Sequence, residues 1–170
     1  MSRYIITGNL SSRQNISSIS SWLREYASVL RDIDPGMSLT LAGKNPHQEI
    51  LEEALKTGAA VIPSPENMSA LIENADVYIC PADNGGGIKL RVMDGLRFGL
   101  PVVAHVLASR GYEPFIGKSL YLYEDEASFR LAVDSARKAS LNKSLLIDLY
   151  KSIFSFESGV ARLGKILVNL

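Results

Sequence analysis

Three consecutive glycines, Gly85-Gly86-Gly87, lead into Ile88-Lys89-Leu90-Arg91-Val92-Met93-Asp94. Glycine lets backbone approach a ligand closely and permits positive φ. A helix starting directly afterwards presents free N–H groups and a partial positive charge. Lys89 and Arg91 add full charges near that end, where helix electrostatics favours acids instead. Cations set against the dipole point to a bound anion, most simply a phosphate. Arg91 and Asp94 are three apart and share a helix face. A cation for phosphate and a carboxylate one turn later for sugar hydroxyls would make a nucleotide site. The same residues would also make a surface ion pair beside a flexible loop. The position of the loop at the carboxyl end of a strand favours the anion site.

The other reactive side chains point elsewhere. Asp83 adjoins the glycines and reads as a turn residue that could touch a ligand. His105 follows a strand, as a site residue or a hydrogen-bonded loop histidine. His47 opens a helix. Cys80 reads as a buried strand residue rather than a nucleophile, and Trp22 as core or interface packing. The first strand leads into Gly8-Asn9-Leu10-Ser11-Ser12, which is not the dinucleotide pattern G-x-G-x-x-G. A Walker A loop and a G-x-S-x-G elbow are also absent.

The elements that must position these residues are legible. Tyr4-Ile5-Ile6-Thr7, Leu39-Thr40-Leu41-Ala42, Ala60-Val61-Ile62, Val77-Tyr78-Ile79-Cys80, Val102-Val103-Ala104 and Leu120-Tyr121-Leu122-Tyr123 read as short apolar strands. Helices are expected over 16–33, 48–57, after an Asn67 cap, and over 88–98, 128–139, 145–154 and 160–167. Strands without clean alternation are covered on both faces, as in parallel sheets. The βα alternation predicts a Rossmann-like, doubly wound α/β fold, a mostly parallel six-stranded sheet with helices on both faces. Function belongs in the loops at the strands' carboxyl ends: 8–15, 43–47, 63–67, 81–87 and 104–117.

Composition sets the outer limits. The chain has 170 residues, with 18 Lys+Arg against 18 Asp+Glu, enough for one domain with one sizeable core. Zero net charge argues against a nucleic-acid binder that relies on a global positive field. One cysteine and two histidines exclude a disulfide framework and a multi-histidine or cysteine metal site. A reducing, cytoplasmic setting fits. No signal peptide is read in the opening residues, and no apolar run has the length of a membrane span.

Three segments together carry a resemblance. They are Asn74-Ala75-Asp76-Val77-Tyr78-Ile79-Cys80-Pro81, Gly85 to Leu96, and Gly99-Leu100-Pro101-Val102-Val103-Ala104. This block resembles the C-terminal, donor-binding domain of retaining glycosyltransferases with the GT-B fold, the "group 1" family. The likeness extends over nearly the whole chain. Thr7-Gly8 with Asn15, Ala42-Gly43-Lys44-Asn45-Pro46 and Phe154-Ser155-Phe156-Glu157 match in kind.

The resemblance implies one half of a GT-B enzyme, binding a nucleoside-diphosphate sugar for transfer with retention of configuration. Lys89 and Arg91 occupy the basic positions associated with the donor diphosphate, with the usual Arg and Lys interchanged, and Gly8, Gly85, Gly86 and Gly87 accompany them. Asp94 stands where a glutamate holds the ribose hydroxyls, one methylene shorter. Gly95 replaces a usual alanine and weakens the helix slightly. Gly86 stands where many members carry a glutamate for the donor sugar. Asn9 follows Gly8 where an arginine is common, leaving Arg13 as a loose candidate. Gly111 matches a glycine near the donor, Glu113 could reach a sugar hydroxyl, and Ile62 and Pro63 would shape a base pocket. No metal is implied, and no D-x-D pair is present to hold one. The donor is a substrate, so no cofactor is expected. The partner implied is an N-terminal acceptor-binding domain or subunit, through which any peripheral membrane association would run. The altered first loop and Gly86 leave a non-catalytic GT-B-like interaction module as an alternative, with an epimerase-like nucleotide-sugar enzyme as a third reading.

Overall fold

The computed structural model describes residues 1–168. Its six strands are β1 (Arg3–Asn9), β2 (Ser38–Lys44), β3 (Ala60–Pro63), β4 (Val77–Cys80), β5 (Val102–His105) and β6 (Leu120–Tyr123). They form one sheet in the order β3-β2-β1-β4-β5-β6, and every pairing is parallel. The helices are α1 (Arg13–Ile33), α2 (Gln48–Thr57), α3 (Met68–Glu73), α4 (Leu90–Arg97), α5 (Glu126–Ala139), α6 (Lys143–Phe154) and α7 (Phe156–Val168). The order reverses between β1 and β4, so the crevice for a ligand opens at their carboxyl ends.

The apolar strands make two cores, one on each face. Tyr4, Ile6, Leu39, Leu41, Val77, Ile79 and Val103 pack against α1, α2 and α5. Ile5, Tyr78, Cys80, Val102 and Ala104 pack against α3, α4 and α6. Successive strand residues point to opposite faces, and both faces are covered, so polar alternation has no place. Cys80 is a buried free thiol whose pKa burial pushes up. Trp22 lies in the first core at 2% exposure, edge-on to Phe129.

Local signals set the helix ends. Ser12 caps α1 by accepting from the Asn15 N–H, Asn67 caps α3 by accepting from Ala70, and His47 Nδ1 caps α2 by accepting from Glu49. Asp125 and Ser128 form a capping box that starts α5 two residues earlier than its apolar pattern indicates. α1, α6 and α7 also begin ahead of their apolar runs. α4 differs in the other direction. Gly87 sits at φ +82° and Lys89 is extended at φ −88°, ψ 94°, so the helix starts at Leu90 rather than Ile88. No described helix is long and apolar enough to cross a membrane.

Candidate functional site

α4 is held unusually close to the sheet. A Cβ on Gly95 would lie 2.6 Å from Val102 Cγ2 and 2.8 Å from Tyr78 Cβ. Glycine here therefore serves close packing, although it costs helix propensity. The Tyr78 hydroxyl bonds Thr7 Oγ1 at 2.6 Å beneath the end of β1. This contact locks β1 to β4 at the point where the chain opens into Gly8.

The Arg91 side chain lies across Gly8. A Cβ on Gly8 would sit 3.3 Å from Arg91 Cζ and Nε, and Gly8 has φ +152°. Arg91 Nη1 is buried and has no hydrogen-bond partner. A buried guanidinium N–H without an acceptor is costly unless a ligand supplies one. Lys89 is differently engaged. Its Nζ donates to Asn84 O at 2.6 Å and Gly85 O at 2.8 Å, tying the glycine loop to the foot of α4. The Tyr112 hydroxyl fixes the same foot by donating to Lys89 O at 3.0 Å. Gly85 and Gly87 have φ +76° and +82°, and nothing lies within 4 Å of a Cβ on Gly86 or Gly87.

Two cavities meet at this point. One, about 280 Å³, is lined by Gln14, Asn15 and Ser18 of α1, by Asn84 and Gly86 of the loop, and by Lys89 and Arg91. The Ser18 hydroxyl donates to Asp83 Oδ1 at 2.6 Å and accepts from Asn84 Nδ2 at 3.0 Å. Asp83 thus fastens the loop to α1. The other cavity, about 350 Å³, is lined by Thr7, Gly8, Asn9, Gly43, Lys44, Ser64, Pro65, Met68 and Asp94. Burial raises the Asp94 pKa, against opposing pulls from Arg97 and Arg91. Asp94 pairs with Arg97 at 3.6 Å, not with Arg91, so the shared helix face does not become an ion pair. Arg91 and Asp94 instead serve adjoining cavities.

The structure brings Gly8, Asn9, Gly86, Lys89, Arg91 and Asp94 together, and leaves other sequence candidates outside. Arg13 opens α1, is exposed and lines neither cavity. Ile62 and Pro63 lie within β3, and the next residues, Ser64 and Pro65, form the wall. His105 lines a separate hollow of about 110 Å³ with Trp22, Asp83 and Glu124. Its Nδ1 accepts from Leu107 N, which makes it a loop cap. Gly111 packs beside Ile88. Glu113 Oε1 accepts from Gly111 N at 3.0 Å, and that bond holds its carboxyl below the usual range. Sequence reasoning missed Ser18 and Met68; Gln14, Asn15, Lys44 and Ser64 lie in the loops expected to carry function, without a donor role of their own there. They come from separate crossovers, and only the strand order makes them neighbours.

The model of a family described as glycosyl transferases group 1 matches residues 2–136. A curated relative, an uncharacterized 44.6 kDa protein in the cps region of Klebsiella pneumoniae, is 28% identical over 160 residues. That match takes in 89% of this chain and 40% of the relative. The fold is similar to Anabaena HepE, solved in complex with UDP, with a TM-score of 0.69 at 13% identity. There 99% of this chain covers 49% of HepE. It is also similar to the pneumococcal O-GlcNAc transferase GtfA, solved with UDP and GlcNAc, with a TM-score of 0.62 at 13% identity. In that case 98% of this chain covers 35% of GtfA. The chain therefore spans about a third to a half of these proteins, and its six parallel strands match one Rossmann-like unit of the GT-B fold. With four fifths of its length matched by the family model, the chain belongs to the glycosyl transferases group 1 family.

Proposed function

We propose that this chain is the donor-binding unit of a retaining glycosyltransferase and holds a nucleoside-diphosphate sugar at the carboxyl ends of β1 and β4. The observation that carries this reading is the buried, unpartnered Arg91 Nη1 laid over Gly8 where two cavities meet. A phosphate oxygen there would accept from the guanidinium, and the amides opening α4 would add donors. The Asp94 carboxylate would accept from ribose hydroxyls in the larger cavity, with the base against Pro65 and Met68. The sugar would extend past Asn84 and Gly86 toward the acceptor.

The chemical role follows from charge. Sugar transfer breaks the bond between the anomeric carbon and the diphosphate, and negative charge grows on the leaving oxygen. Arg91 and the positive end of α4 would face that charge and stabilise it without reorganisation. No acidic side chain reaches the sugar from Gly86, so the loop would offer backbone groups there. The acceptor and the remaining catalytic groups would come from the partner half.

Calorimetry with UDP, GDP, ADP and CDP tests this reading. HepE and GtfA were solved with UDP, so UDP is the first to try. Saturable binding to at least one diphosphate, weakened roughly ten-fold or more by Arg91→Ala, is expected. Failure to bind any of the four would overturn the proposal and favour a GT-B-like interaction module.

A further inference from the structure

We propose that Lys44, at the end of β2, is the second phosphate-binding cation of the donor site. This inference rests on the donor-binding reading above. A diphosphate carries negative charge on each phosphoryl group, so a second cation beside Arg91 would strengthen its hold. Lys89 cannot simply be counted as the second cation, because its ammonium is already committed to Asn84 O and Gly85 O. Arg13, the arginine that follows the first glycine loop, lines neither cavity.

Lys44 offers that cation from the end of β2. It lines the larger cavity together with Gly8, Asn9 and Asp94. It is the register partner of Asn9, and its carbonyl accepts from Leu10 N at 2.9 Å, so it is fastened to the loop that follows β1. Among the described residues no carboxylate lies within ion-pairing distance of its ammonium, although Asp94 shares the cavity. Gly43 brings the strands together just before it, since a Cβ there would lie 1.8 Å from Gly8 O. The backbone on both sides of the cavity is strained. Asn45 and Ser64 are the non-glycine residues with positive φ among those described, at 48° and 47°. Asn45 turns the chain away directly after Lys44, and Ser64 stands in the same cavity wall, its amide donating to Gly43 O at 2.8 Å. Such strain concentrates where a structure positions a ligand.

The test compares UDP with uridine, or the equivalent pair for the base that wild type prefers, on wild type, Lys44→Gln, Lys44→Arg and Arg13→Gln. Lys44 is exposed, so its variants should keep the wild-type melting temperature. Lys44→Gln should weaken the diphosphate roughly ten-fold and leave the nucleoside unchanged. Lys44→Arg should restore most of the loss, and the dependence of affinity on salt should be shallower in Lys44→Gln than in wild type. Unchanged diphosphate affinity in Lys44→Gln, or a loss seen only with Arg13→Gln, would overturn the assignment while leaving the donor site standing. An equal loss for nucleoside and diphosphate would also overturn it. A wild type that binds no diphosphate would defeat both readings together.

Discussion

At the scale of single residues, Asp94 carries a cost that function explains. Burial raises its pKa, with Arg97 and Arg91 opposing. The folded state therefore holds this proton more tightly than the unfolded chain. Stability from this group is greatest at low pH and falls as pH rises from the ordinary aspartate range through the raised folded value. Asp94→Asn should accordingly raise the melting temperature at pH 7, and the gain should shrink on acidification. The same variant should weaken nucleoside binding, because the carboxylate proposed to accept from the ribose is gone. Melting curves at several pH values, paired with titrations at pH 7, read both effects. A variant neither stabilised at neutral pH nor impaired in binding would contradict this role. Asp94, Arg91 and Lys89 were visible in the sequence because they sit beside three glycines. Lys44 was visible only as part of the loop expected after the second strand, because its neighbours at Gly8 and Asn9 lie a whole helix earlier in the chain. Nor could spacing show that Lys89 turns back on Asn84 and Gly85 while Arg91 reaches Gly8.

The elements explain how these side chains are held. α4 stands close to the sheet because Gly95 offers no Cβ to Tyr78 and Val102. Gly95→Ala brings a better helix former and a collision, and the collision wins. A propensity gain of about 1 kcal/mol is set against roughly 1–3 kcal/mol for overpacking a tight interface, and the contacts below 3 Å put this site at the upper end. The variant should melt several degrees lower and bind diphosphate more weakly, since Arg91 and Asp94 ride on the displaced helix. Gly86→Ala meets no neighbour and has no positive φ, so its melting temperature should match wild type. Thermal denaturation of the two variants side by side separates packing from composition, and a stable Gly95→Ala would refute the packing argument. The strands were legible as apolar runs, all but β6 with a Gly or Pro close to one end. The start of α4 was not, because Ile88 continues the apolar pattern while Gly87 and Lys89 keep the backbone out of the helix. α5 was read late because the apolar pattern begins after its polar capping box.

At the scale of the whole molecule, the site occupies the open carboxyl end of a sheet whose faces are covered. Ile88, Leu90 and Leu107 stand 58%, 69% and 55% exposed around that end. A donor bound there keeps one side in water, and the chain spans 35% to 49% of the solved proteins it is similar to. Water exclusion and acceptor placement both require more surface than this unit supplies. Incubation with a nucleotide sugar should therefore give binding without release of free diphosphate, which chromatography would show. Turnover by this unit alone would refute that division of labour. A larger hollow, about 580 Å³, lies at the opposite end of the sheet, against Ser2, Asp76 and Arg137. Size alone would choose it, whereas strand polarity and the unpartnered guanidinium choose the carboxyl end. Amide chemical-shift mapping during a UDP titration decides between the two ends most directly. Shifts are expected at Gly8, Asn9, Lys44, Ser64, Gly85 to Gly87 and Arg91, with Ser2, Asp76 and Arg137 unmoved. Shifts gathered at Ser2, Asp76 and Arg137, with the glycine loop silent, would contradict a donor site at the carboxyl end.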